Sequence, residues 1–147
     1  MTFASEPIGL GEVVAAKGGH IVNGATVSAL PSMIRNSSFQ IAGDCFLGAL
    51  DPSEYEGVMM LVNHSCDRTW AWGVTSSSLR CAPSLFGEEL TIDYCLFMGD
   101  PEFSMMCQCG RLACRTMITG NDWSSPDLQE RQRGWFSWYL ARRMVNE

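Results

Sequence analysis

The sequence predicts a mainly β fold of short strands, closed by a cysteine knuckle and followed by a C-terminal helix. Three observations predict it. Short apolar runs, such as Val13 to Ala16, Trp70-Ala71-Trp72 and the stretch 89–94, are separated by turn signals rich in glycine, aspartate and serine. Cys107, Cys109 and Cys114 form C-x-C-x4-C, a metal-ligand spacing. Beyond Ser125, the residues Leu128, Trp135, Phe136, Tyr139, Leu140 and Met144 make a broad apolar face for a helix.

The elements follow in order. Val13 to Ala16 reads as a strand ended by Gly18-Gly19, with His20 a turn residue and Ile21-Val22 opening the next segment. Phe39 and Ile41 before Gly43-Asp44, with Phe46 after it, predict a hairpin. Asp51-Pro52-Ser53-Glu54 is the polar start of a short helix, and the apolar run 58–62 follows, with Met59 and Met60 as core filler. Trp70 to Val74, a serine turn at 76–78 and Leu79 to Ala82 read as an antiparallel pair. The next strand is expected over 89–94, and breaks at Gly99-Asp100-Pro101 and Gly120-Asn121-Asp122 flank the knuckle. Ser125 then caps the terminal helix, with Pro126 at its first position; it packs on its own domain or, as the sharper alternative, fills a partner's groove.

A chain of 147 residues fits one domain that buries roughly 70% of its unfolded surface. With 46% hydrophobic and 18% charged residues, the composition is that of a globular protein. No stretch approaches the ~20 apolar residues of a membrane span, and residues 1–19 lack a secretory leader pattern. Seven cysteines, an odd number with three at metal spacing, favour zinc and a reducing compartment, cytosolic or nuclear. A net charge of -6 offers no attraction to a nucleic-acid backbone; it favours a basic partner such as a lysine-rich segment, or simply solubility.

A structural zinc wants four closed N or S ligands, so three cysteines require a fourth from elsewhere. Three pieces now line up. Asn63-His64-Ser65-Cys66, Gly87-Glu88-Glu89-Leu90-Thr91-x-Asp93-Tyr94 and Cys107-x-Cys109-x4-Cys114, in that order, resemble the signature of SET-domain protein-lysine methyltransferases with a post-SET zinc knuckle. The resemblance covers nearly the whole chain. It implies a SET-type β-clip fold with a knot-like crossing: a SET domain over 1–103, a post-SET zinc knuckle over 104–120 and a C-terminal helix over 121–147.

The resemblance also implies roles. Cys66 becomes the fourth zinc ligand beside Cys107, Cys109 and Cys114. Asn63, His64 and Tyr94 contact the cofactor S-adenosylmethionine, Met117 and Ile118 cover its adenine, and Tyr94 also orients the ε-amine of a lysine in a protein substrate. Free lysine is the neutral amine only about once in a few thousand molecules at pH 7, so an apolar channel must favour that form by desolvation. Ile92, one alternation from Tyr94, lines that channel or is ordinary core. Asp93 faces away as a structural acceptor, and the adjacent Glu88 and Glu89 point to opposite faces, which argues against joint acid-base work. Cys95 is a reactive thiol or a small buried apolar residue, and Cys45 and Cys81 read as buried. The single lysine, Lys17, leaves little scope for self-methylation.

Thr2-Phe3-Ala4 with Ile8-x-x-Gly11-Glu12-x-Val14 resemble the second half of the first SET motif, whose cofactor glycines are absent here. The usual Pro-Asn after the Asn-His-Ser-Cys-Asp segment is Arg68-Thr69. These departures leave a rival expectation from a different class: a catalytically inactive, zinc-stabilised interaction scaffold.

Overall fold

The computed structural model describes residues 1–55, 57, 61–72, 78–81 and 83–146, with the backbone alone at 72, 78–81 and 146. Its strands are β1 (Val13–Ala16), β2 (His20–Val22), β3 (Phe39–Ala42), β4 (Cys45–Gly48), β5 (Asn63–His64), β6 (Trp70–Trp72), β7 (Ser78–Cys81), β8 (Thr91–Ile92), β9 (Ser104–Met106) and β10 (Met117–Thr119). The helices are α1 (Gly24–Ala29), α2 (Ser32–Arg35), α3 (Pro126–Arg131) and α4 (Trp138–Asn146). Short strands in small sheets dominate. A five-stranded sheet runs β1-β7-β6-β8-β5, a three-stranded sheet runs β2-β4-β3, and β9 and β10 pair with each other.

Local chemistry explains most of these elements. The β3–β4 hairpin turns at Gly43-Asp44, and β6 pairs antiparallel with β7. Asn23 caps α1 by accepting the Thr26 N–H at 2.9 Å, and Asp51 caps the short 3-10 turn Pro52–Glu54 in the same way. Gly19, at φ 127°, approaches the Gly48 carbonyl so closely that no Cβ fits. The run 58–60 with Met59 and Met60, the segment 73–77, Ala82 and the Cys81 side chain lie outside the described residues.

Three expectations are corrected. The strand expected over 89–94 is only Thr91–Ile92, because Asp93 accepts the Cys95 N–H at 3.1 Å and starts a 3-10 turn, Tyr94–Leu96. The terminal helix is two helices: the chain breaks at 132–137, where Gly134 takes φ 80°. His20 opens β2 rather than sitting in a turn, with its Nε2 3.0 Å from Glu54 Oε1.

Among the described residues, three apolar clusters form the core. Ala4, Val62, Trp70, Leu90 and Ile92 pack between the N-terminal segment and the large sheet. Leu128, Phe136, Tyr139 and Leu140 pack onto Ala71, Cys95, Leu96 and Trp123, which docks both terminal helices on the 3-10 turn after Asp93. A fully buried leucine such as Leu140 contributes roughly 2–3 kcal/mol by this contact. Cys66, Cys107 and Ile118 make the third cluster, with Tyr94, Phe103 and Met105 against it. Lys17 is also buried, its Nζ 6.0 Å from the Phe39 ring centroid. Among the described residues, no helix is long and apolar enough to cross a membrane.

The β9–β10 hairpin is pinned through Gly120, whose N–H donates to the Phe103 carbonyl at 2.9 Å. A Cβ at Gly120 would overlap the Asp100 carbonyl backbone. Gly120→Ala is therefore expected to destabilise the protein by about 3 kcal/mol or more, read as a lower urea midpoint; an unchanged midpoint would refute the close approach.

Candidate functional site

Four cysteines from two distant parts of the chain converge. The sulfurs of Cys66, Cys107, Cys109 and Cys114 all lie within 4.8 Å of one another. Four thiolates about 2.3 Å from a tetrahedral zinc stand about 3.8 Å apart, and Cys66 Sγ lies 3.8 Å from Cys107 Sγ. The donor set therefore fits a soft cation, and the four cysteines could hold a metal ion such as zinc. The backbone turns inward to support it. The N–H groups of Cys109, Arg115 and Thr116 donate to the sulfurs of Cys107, Cys66 and Cys114 at 3.5, 3.4 and 3.4 Å. Gly110, at φ 65°, supplies the left-handed turn inside the knuckle.

Cys107 and Cys109 differ in how firmly they hold their protons. Burial pushes the Cys107 thiol up to about 12. Burial also raises Cys109, but N–H donation from Arg111 and the neighbouring sulfurs outweigh it and bring that thiol down to about 6. Of these two, Cys109 is therefore the readier thiolate and also the more exposed.

Next to the sulfurs lies a buried polar network. The His64 ring Nδ1 accepts the Tyr94 N–H at 3.2 Å, which leaves the proton on Nε2, directed at Cys66 Sγ 3.4 Å away. Burial lowers the His64 pKa, outweighing the raising effect of Asp93 at 3.7 Å, so the ring is neutral at pH 7. The Asp93 side chain is fully buried and is gripped by both terminal nitrogens of Arg115, at 2.8 and 2.6 Å. This fork pairs residues 22 positions apart and satisfies a carboxylate that would otherwise be uncompensated.

Tyr94 stands where the cysteine cluster meets a cavity of about 440 Å³. The parallel register Asn63↔Thr91 and His64↔Ile92 brings the two motif segments together. Phe39, Phe46, Val62, Ile92, Phe97 and Phe103 give the cavity apolar walls, while Arg35 and Asp100 supply charge. The Tyr94 ring packs on His64, Phe97 and Phe103 at centroid distances of 5.2, 5.5 and 6.3 Å. Its hydroxyl donates to the Val62 carbonyl at 3.1 Å, and burial raises its pKa above the usual 10. The proton is thus committed, while the oxygen lone pairs can still accept from a donor in the cavity.

Other predicted residues lie around this centre. Asn63 is exposed, and its side-chain amide donates to Glu89 Oε1 at 2.8 Å rather than standing open. Glu88 instead accepts the Leu85 N–H, so the two glutamates form no common site. Ile118 is fully buried beneath the sulfurs, and only Met117 of that pair presents surface. Cys95 is completely buried and burial drives its thiol pKa up, which makes it packing and not a reactive group. Cys45, expected inside, is exposed at the start of β4. Sequence reading missed Arg115, Phe39, Phe97 and Phe103. The only available signal was the basic residue directly after the last ligand. In comparisons with known protein families and with curated proteins, the chain matches none.

Proposed function

We propose that the protein transfers a methyl group from S-adenosylmethionine to the ε-amine of a lysine in a protein substrate, on a SET-type fold clamped by a structural zinc at Cys66, Cys107, Cys109 and Cys114. One observation carries this reading: Tyr94 joins an aromatic cavity to a four-thiol cluster, in a chain whose motif order resembles that family. Bound S-adenosylmethionine supplies an electrophilic methyl on a sulfonium. The chain's own residues do the rest. The walls from Phe39, Val62, Ile92, Phe97 and Phe103 desolvate a lysine side chain and favour its neutral amine. The Tyr94 oxygen, its own proton donated to Val62, accepts an N–H from that amine and fixes its lone pair, which is catalysis by positioning. Tyr94 does not serve as the base, because burial raises its pKa. The net charge of -6 favours a basic substrate segment. A reducing compartment, cytosolic or nuclear, keeps the four thiols available to metal.

The scaffold reading keeps one observation of its own. Asn63 is occupied by Glu89, so cofactor binding requires that amide to change partner. Calorimetry of the zinc-loaded protein with S-adenosylmethionine separates the two readings: heat together with label transfer to a lysine peptide supports the enzyme, and no heat supports the scaffold. For the enzyme, kcat/KM is expected to rise about tenfold per unit from about pH 6.5 to about pH 8.5, as the substrate ammonium loses its proton. The phenol pKa is raised, so it remains protonated throughout this window and adds no descending limb. A flat profile would count against attack by a free amine.

A further inference from the structure

Arg115 directly follows the last cysteine and touches both halves of the site. Its backbone N–H donates to Cys66 Sγ at 3.4 Å. Its guanidinium spans Asp93, with Nη1 to Oδ2 at 2.8 Å and Nη2 to Oδ1 at 2.6 Å, and its Nε lies 3.2 Å from Asp122 Oδ2. Asp93 Oδ1 in turn accepts the Cys95 N–H, capping the turn Tyr94–Leu96. A planar fork on a fully buried carboxylate allows that side chain one orientation, which a lysine ammonium cannot impose. We propose that Arg115 is a positioning residue that transmits closure of the four-cysteine cluster around a metal to the placement of the Tyr94 phenol. The path is short: the knuckle's last ligand carries Arg115, Arg115 holds Asp93, and Asp93 sets the turn on which Tyr94 stands.

This inference rests on the metal reading, and the test separates the two. The chain has three tyrosines, so uniform 3-fluorotyrosine labelling gives a simple 19F spectrum in which Tyr94→Phe identifies the Tyr94 line. In the wild-type protein, added zinc is expected to bind in competition with a chromophoric chelator and to shift and sharpen that line. In Arg115→Lys, the four sulfurs and the main-chain N–H to Cys66 remain, so zinc affinity falls by no more than about 10-fold, while the Tyr94 line stays at its zinc-free position. The double variant Asp93→Asn/Arg115→Met removes both charges of the fork together, leaves no carboxylate at 93, lets Asp122 keep the Thr119 N–H and hydroxyl, and is expected to show the same uncoupling. Zinc-dependent movement of the line in both variants, matching wild type, would overturn the proposal while leaving the metal centre intact. A wild-type protein that binds no zinc would overturn both.

Discussion

Cys66→Ser is expected to weaken zinc binding by about 100-fold or more. A structural zinc is worth about 10–16 kcal/mol, and an even share among four thiolates is roughly 3 kcal/mol, or two orders of magnitude. Cys66 stands apart in the chain from the other three cysteines of the cluster. It is the candidate ligand from outside the knuckle, its sulfur receives the Arg115 N–H and faces the His64 Nε2, and it is buried against Cys107 and Ile118. Chelator competition measures the affinity directly, and a lowered thermal midpoint should accompany it. Retention of wild-type affinity would mean that the knuckle closes on some other ligand. The cysteine cluster would then no longer tie the two motif segments together.

Tyr94→Phe is expected to lower kcat by about 100-fold while leaving the affinity for S-adenosylmethionine unchanged. The substitution keeps the ring and its packing on His64, Phe97 and Phe103. What it removes is the hydroxyl that donates to Val62 and, in the proposed mechanism, holds the amine in line. The lost hydrogen bond should cost about 1 kcal/mol of stability, small enough to keep the protein folded. Single-turnover transfer to a lysine peptide, alongside cofactor calorimetry, reads the two effects separately. A variant with the full rate would remove Tyr94 from the mechanism.

What could be read in advance was whatever depends on neighbours in sequence. The β3–β4 hairpin followed from Gly43-Asp44, and the antiparallel β6–β7 pair from two apolar runs around a serine turn. Three of the four sulfurs were legible from spacing, and Cys66 only from resemblance. Side chains that meet across the fold were less legible. Asp93 was read as a structural acceptor, but its partner Arg115 lies 22 residues on, and no local pattern announces such a pair. The aromatic walls were invisible for the same reason, since Phe39, Phe97 and Phe103 come from three separate segments. Periodicity also misled: apolar spacing continues from Leu128 to Met144, but Gly134 takes a left-handed conformation that ends one helix before the next begins. Alternation failed at Tyr94 because Asp93 used its carboxylate to cap a turn and not to extend a strand. The likeness to SET domains supplied an order of motifs; what the fold adds is the physical joint between them.

The chain's single lysine is buried, 4% exposed, with its Nζ 6.0 Å from the Phe39 ring centroid. Acylating reagents added to the folded protein should therefore spare Lys17, and its modification would report loosening of the packing around Phe39. This ε-amine thus serves as a built-in gauge of the fold around Phe39, readable by peptide mass without introducing a probe.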